Sequence, residues 1–162
     1  MKAYLDIETS FEGAITVVGL YATDRGLIQL IGTQISDVTV WQVLEGVETI
    51  CTYNGSRFDL PVIRRRLGLD LFAAFHSHDL MYICWRYGLF GGLKRVEEQL
   101  GISRRSKGID GMEAMRLWSR YEDSKDEQAL QTLLTYNRED VLNLPILEAR
   151  LVEFDRTYAH RD

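Results

Sequence analysis

Two carboxylates near the start of the chain occupy one face of a predicted strand. Asp6 and Glu8 alternate with the apolar residues Leu5 and Ile7, and this period of two places both acids on the same side. Neighbouring like charges repel each other on a strand, and Asp is a poor strand former. A divalent cation would turn the repulsion into attraction, because Mg²⁺ takes hard oxygen ligands. The alternative is a strand face that is exposed to solvent.

Two later segments carry further acids. Asp59 ends the segment YNGSRFD, where a predicted strand gives way to a helix; an acid in the first helical turn is favoured by the helix dipole, and Asn54 is typical of a turn. In the segment YNREDV, Tyr136 and Asp140 are four residues apart and share one face of a leucine-rich helix. Taken alone, Asp59 is explained as a helix-start carboxylate, and Asp140 as a surface acid with a tyrosine packed beside it.

The elements that must position these acids are strands first and helices afterwards. Strands are predicted over 3–8, 15–21, 27–31 and 49–53, and the first three are short and closely joined, as in an antiparallel meander. Helices are predicted over 36–46, 57–68, 79–87, 93–100 and 112–121, and from about 126 onward. This order indicates an α+β fold or a mixed sheet covered by helices.

In order along the chain, the three acidic segments resemble the motifs of the DEDD superfamily of RNase H-like 3′–5′ exonucleases. The matches are D-x-E at Asp6 and Glu8, N-x-x-x-F-D from Asn54 to Asp59, and Y-x-x-x-D from Tyr136 to Asp140. The tyrosine is similar to that of the tyrosine subclass (DEDDy), which includes polymerase proofreading domains and the ribonuclease D type. The segments GGLKRVEEQLGI, KGIDGMEAM and YNREDVLNL look most like the YprB-type RNase H-like branch.

The resemblance spans nearly the whole chain and implies its fold. We expect an α/β, RNase H-like fold with a mixed central sheet, in which the first three strands are antiparallel and further strands are parallel, flanked by helices. We expect a single exonuclease domain over 1–154 and a C-terminal tail over 155–162.

The resemblance also implies a function: hydrolysis of phosphodiester bonds from the 3′ end of single-stranded DNA or RNA, with two divalent cations, Mg²⁺ or Mn²⁺. In that scheme Asp6 bridges both cations, Glu8 and Asp140 complete one site, and Asp59 holds the other, partly through water. Tyr136 orients the attacking water.

Three more residues are assigned to the substrate by the same resemblance. Thr9 would lie near the terminal nucleotide, and Asn54 and Phe58 would shape the pocket of the 3′ end. Core packing explains Phe58 equally well.

Two other functions stay open at this point. One is a carboxylate-metal nuclease of the same fold that cuts internally or acts on RNA–DNA hybrids. The other is a catalytically weak or inactive module that binds nucleic acid or docks to a protein. All four acids are present, so nothing in the sequence indicates a damaged site. A protein partner could supply specificity to so small a domain.

The composition limits how nucleic acid could be bound. With 162 residues, 46% of them hydrophobic, the chain can bury one core. A net charge of −5 excludes a strongly basic nucleic-acid module. Phosphate contacts must then be local, and the candidates are two clusters that solvated connectors would explain as well: Arg104, Arg105 and Lys107, and Lys94 with Arg95.

The remaining signals concern compartment and metal. Cys51 and Cys84 have no metal-type spacing, so we expect free thiols in a reducing cytoplasm. No apolar run reaches the roughly 18 residues of a membrane span, and the start of the chain has no signal-peptide pattern; we expect no membrane partner. The segment HSHD resembles a metal cluster, but a zinc site needs more ligands, and Asp79 is explained as a helix N-cap.

Overall fold

The sheet is mixed, as predicted. The computed structural model describes residues 1–159, with side chains up to residue 157. Its strands in that range are β1 (Lys2–Thr9), β2 (Ile15–Ala22), β3 (Gly26–Ile31), β4 (Thr49–Thr52) and β5 (His76–Asp79). The spatial order is β3-β2-β1-β4-β5. The first three strands pair antiparallel, whereas β4 is parallel to β1, and β5 to β4.

Helices cover both faces of this sheet. They are α1 (Asp37–Val43), α2 (Asp59–Leu67), α3 (Leu71–Ala74), α4 (Leu80–Arg86), α5 (Leu93–Gln99), α6 (Gly111–Ser124) and α7 (Glu127–Ala159). The apolar side of β1, with Leu5 and Ile7, packs on α1, α2 and α3. The opposite side of the sheet, with Tyr4 and Cys51, packs on α4, α5 and α7. Asp6 and Glu8 share the Tyr4 side of β1, so they face the layer that contains α7.

The long helix α7 lies close against β2. A Cβ atom on Gly19 would come within 2.3 Å of Asn137 Oδ1 and 2.7 Å of Val141 Cγ2. Gly19 is also the cross-strand partner of Asp6. The missing side chain therefore lets α7 bring the YNREDV segment directly over the acidic face of β1.

Several boundaries differ from the predicted ones. Helix α2 begins at Asp59 rather than Arg57, because the N–H groups of Arg57 and Phe58 close a turn on the carbonyl of Asn54, which has a φ of +60°. The HSHD segment forms β5, which its sequence did not predict. Helix α7 continues into the predicted tail over 155–162, and residues 160–162 of that tail lie outside the described part.

Two further expectations, the helix cap at Asp79 and the free cysteines, are confirmed. Asp79 caps α4 by accepting the Met81 N–H at 3.1 Å, and Cys51 and Cys84 are buried free thiols. Among the described residues, no helix combines the length and the apolar character needed to cross a bilayer.

Candidate active site

Three carboxylates from two distant segments converge on one face of the sheet. Asp6 and Glu8 of β1 and Asp140 of α7 each offer an oxygen, and these oxygens lie within 4.8 Å of one another. Glu8 and Asp140 are each only 8% exposed, and Asp6 is half-buried. The burial of Glu8 excludes the alternative of a strand face open to solvent. We call these three residues the acidic cluster.

The cluster fits a hard divalent cation. Its donors are all carboxylate oxygens, which Mg²⁺ and Mn²⁺ prefer. Within the described structure, Glu8 Oε1 is buried and has no hydrogen-bond partner. An unpaired carboxylate oxygen is costly to bury, and coordination to a cation would satisfy it.

Asp59 is not part of the acidic cluster, and from α2 it contacts the backbone of β1. Its Oδ1 accepts the N–H of Ile7, the residue between the two strand acids, at 2.9 Å. That N–H is free because β4 ends at Thr52, and its pairing with β1 reaches only Tyr4. Asp59 is 4% exposed, and its charge is close enough to raise the pKa of Asp6.

Burial and mutual repulsion shift the ionisation of all four acids upward. Desolvation, followed by the charge of Asp140, raises the pKa of Asp6 and of Glu8 well above the ordinary range. Burial raises the pKa of Asp59 to about 7 and also raises the pKa of Asp140. Without a cation these acids therefore keep their protons to a higher pH than free carboxyl groups do, and a bound cation would favour the ionised forms.

Asn137 orients Asp6, and the sequence analysis missed it. Its Nδ2 donates to Asp6 Oδ2 at 3.1 Å and lies 3.3 Å from the Asp6 carbonyl oxygen. Its Oδ1 accepts from Gln29 Nε2 at 2.9 Å, and Asn137 is fully buried. The available signal was an amide one position after Tyr136 inside a leucine-rich helix, where a buried polar side chain needs partners.

Tyr136 lies at the edge of the acidic cluster with Lys94. Lys94 Nζ donates to Tyr136 Oη at 2.6 Å and lies 4.1 Å from the centre of its ring. Burial and the nearby charges of Asp140 and Glu8 raise the pKa of Tyr136 far above its usual value, so the phenol is neutral at physiological pH. Lys94, predicted either as a phosphate contact or as part of a solvated connector, contacts Tyr136 beside the acidic cluster, so the solvated alternative is wrong for it.

Arg104 also differs from its prediction. We expected it on a phosphate track or a solvated connector, but its side chain is only 8% exposed. Its guanidinium pairs with Asp140 and with Glu97, because the loop after α5 turns it inward. Arg105 and Lys107 of the same loop are exposed.

The three residues assigned to the substrate have different environments. Thr9 is the last residue of β1, half-buried, beside an irregularity in the pairing with β2. Asn54 starts a loop that Asp79 holds by accepting the N–H of Asn54 at 2.7 Å and that of Ser56 at 3.0 Å. Phe58 is 46% exposed, so the core-packing explanation is wrong for this residue.

A second group of metal-ligand type is made of Cys51, His78 and Glu148. Both oxygens of Glu148 are already engaged, one by Lys2 Nζ and one by Tyr4 Oη, each at 2.5 Å. Lys2 already supplies a positive charge there, in contrast to the orphaned oxygen of Glu8. The HSHD segment contributes only His78 to this group.

Comparisons with known proteins agree with this geometry. The family model of the RNase H superfamily matches residues 3–152, so the chain belongs to that superfamily. Membership supports nuclease activity, and with it nucleic-acid binding, in general terms. Comparison with curated proteins finds no match.

Among solved structures, the chain is similar to the family B DNA polymerase from the hyperthermophilic archaeon Pyrobaculum calidifontis, with a TM-score of 0.74 and 19% identity. The match covers 94% of this chain and 24% of the polymerase chain, so this chain spans about a quarter of that polymerase. At this identity the likeness shows the fold, and it confirms the RNase H-like architecture predicted from the motifs.

Proposed function

We propose that this protein is a metal-dependent 3′–5′ exonuclease that hydrolyses single-stranded DNA or RNA. The observation that carries the proposal is the convergence of Asp6, Glu8 and Asp140 within 4.8 Å, with a buried Glu8 oxygen that has no donor. The 3′–5′ direction rests on the order of the three motifs and on Tyr136, which resembles the tyrosine of the DEDDy subclass.

In this proposal the acids hold two divalent cations, Mg²⁺ or Mn²⁺. Bound cations of this kind lower the pKa of a coordinated water and stabilise the charge on the attacking and leaving oxygens. Asp6 would contact both ions, Glu8 and Asp140 would complete one site, and Asp59 would hold the other. Asn137 keeps Asp6 in orientation through its 3.1 Å hydrogen bond.

The neutral side chains would position water and substrate. Tyr136 keeps its proton, so it orients the attacking water by hydrogen bonding and does not remove a proton from it. Phe58, exposed on the loop that Asp79 holds, offers a face on which a terminal base can stack. Thr9 and Asn54 would line the same end of the substrate.

The direct test uses 5′-labelled single-stranded DNA and RNA with Mg²⁺ or Mn²⁺. We expect a ladder that shortens from the 3′ end, and no products from the double variant Asp6→Asn/Asp140→Asn. Asp123→Asn, which changes an exposed Asp on α6, is the matched control and should keep full activity.

Two outcomes would contradict the proposal. Cleavage of circular single-stranded DNA would indicate a nuclease that cuts internally. Retention of the labelled strand on the protein, with no shortening in either metal, would indicate a binding or docking module.

A further inference from the structure

Glu97 is a buried acid outside the acidic cluster. It lies on α5 with no exposed surface. Both of its carboxylate oxygens accept from Arg104 Nη1, at 3.1 and 2.9 Å, and Oε1 also accepts from Asn143 Nδ2 at 3.0 Å. Burial raises the pKa of Glu97, while Arg104 opposes that shift. Glu97 therefore pairs with one end of the Arg104 guanidinium and is not a free metal ligand.

The other end of that guanidinium reaches the acidic cluster. Arg104 Nη2 donates to Asp140 Oδ1, so one planar group links Glu97 to Asp140. Glu139 fixes the loop that carries Arg104, because its oxygens accept the N–H groups of Arg105 at 2.6 Å and Ser106 at 2.9 Å. The arginine is therefore held at its guanidinium, and the two residues that follow it are held at their backbone N–H groups.

A buried ion pair such as Glu97 with Arg104 contributes little net stability to a fold. Burying charges removes their hydration, and apolar replacements of buried ion pairs are often neutral or stabilising. Arg104 also leaves its Nε buried without a hydrogen-bond partner in the described structure. The buried pair instead fixes the orientation of the Asp140 carboxylate, because the planar guanidinium restrains the groups that it hydrogen-bonds.

We propose that Arg104, held by Glu97, is a positioning residue that fixes the rotation of Asp140 for metal binding. By engaging Oδ1, it restrains the rotation of a carboxylate that has an oxygen within 4.8 Å of those of Asp6 and Glu8. This inference rests on the proposed function, because it assumes that the acidic cluster binds divalent cations. Partners that orient metal ligands typically matter by about 10–100-fold in metal affinity or activity.

The experiment is Mn²⁺ titration of the full chain by calorimetry, with no nucleic acid present. Arg104→Lys keeps the positive charge but lacks the fork that reaches both carboxylates. We expect it to bind Mn²⁺ about 10–100-fold more weakly than the wild type. Arg105→Lys is the matched control, because the neighbouring Arg105 is exposed, and it should bind Mn²⁺ as the wild type does.

A purely structural role predicts a different pattern. If Arg104 only supported the fold, Arg104→Lys would lower the unfolding midpoint of the metal-free protein without weakening Mn²⁺ binding to the folded fraction.

A second variant, Glu97→Gln, keeps a hydrogen-bond acceptor but loses the charge that holds Arg104. We expect this variant to bind Mn²⁺ more weakly than the wild type as well. For Arg104→Lys, nuclease activity should return as the Mn²⁺ concentration is raised.

The outcomes separate this inference from the proposed function. Wild-type affinity in a folded Arg104→Lys variant overturns the positioning role and leaves the nuclease proposal intact. A wild-type protein that binds no Mn²⁺ overturns both.

Discussion

Asp59 combines a structural contact with an acidic environment. Its carboxylate accepts the Ile7 N–H at 2.9 Å, and that bond joins α2 to β1. Burial nevertheless raises its pKa to about 7, because two backbone hydrogen bonds do not offset the lost hydration and the neighbouring acids. At the scale of the residue, the neighbouring carboxylates repel each other, and a bound cation would remove that repulsion.

The raised pKa of Asp59 predicts a pH dependence of stability. An unfolded Asp titrates near 3.9, whereas folded Asp59 titrates near 7, so between these values the folded protein binds more protons. The free energy of unfolding of the metal-free protein should therefore fall as pH rises from about 4 to 7. Asp6 and Glu8, whose pKa values are also raised, act in the same direction. Urea denaturation in EDTA at pH 5, 6, 7 and 8 measures this slope.

Asp59→Asn isolates the contribution of Asp59. The amide can still accept from Ile7 but has no charge to bury, so the decline between pH 5 and 7 should become shallower. The pKa of Glu148 is lowered to about 2, chiefly by its hydrogen bond to His78. Protonation of Glu148 therefore lowers the free energy of unfolding only at a pH below the range from 5 to 7. Asp123→Asn should retain the wild-type slope, and an unchanged slope in Asp59→Asn would contradict the assignment.

The sequence indicated the acidic residues of the candidate site but not the residues that hold them in place. Asp6, Glu8 and Asp140 are recognisable only together, through the order of the three motifs, because each acid taken alone has an ordinary explanation. Asn137 and Glu97 look like ordinary helical polar residues, since their importance lies in contacts with other elements. Asn137 and Asp6 are 131 positions apart, and no local pattern encodes that contact.

At the scale of the element, the contact between β2 and α7 decides whether the site forms. Gly19 stands opposite Asp6 on the neighbouring strand, and Asn137 Oδ1 occupies the space that a side chain there would need. Movement of α7 by a few tenths of an ångström would alter both the Asn137 bond to Asp6 and the placement of Asp140. A glycine in the interior of a strand is thus explained by the close approach of a helix.

We expect Gly19→Ala to destabilise the protein by about 1–3 kcal/mol, the usual cost of overpacking. The added methyl would lie 2.3 Å from Asn137 Oδ1, so α7 must shift. Urea denaturation gives the stability, and Mn²⁺ titration should show weaker binding to the folded variant. Gly111→Ala is the control, because a Cβ there meets nothing within 4 Å. Equal stability of both variants would show that α7 is not seated as described.

The elements were predictable where a local pattern was strong. The first three strands alternate or are β-branched, and α7 repeats its leucines along one side, so these were found. The strand β5 was missed because HSHD has no apolar alternation and forms by pairing with β4. The inward path of Arg104 was also missed, since it depends on Glu97 and Glu139 from two separate helices.

For the whole molecule, cations would resolve a conflict between charge and substrate. The chain carries a net charge of −5, which repels a phosphate backbone. Two divalent ions would bring that charge to about −1 and place positive charge where the scissile phosphate must sit. The remaining attraction would come from a few local cations, so we expect binding of nucleic acid to weaken steeply with salt.

The same cations should stabilise the whole fold by mass action. A ligand at 100 times its dissociation constant stabilises the state that binds it by about 2.7 kcal/mol, which for a domain of this size raises the melting temperature by about 5–10 °C. We expect this rise with Mn²⁺ in the wild type and not in Asp6→Asn/Asp140→Asn, measured by thermal unfolding. A rise in melting temperature without strand shortening would separate a metal-binding module from a nuclease. No rise in melting temperature at high Mn²⁺ concentration would indicate that the folded protein does not bind the ion, and the metal-dependent mechanism would then be wrong.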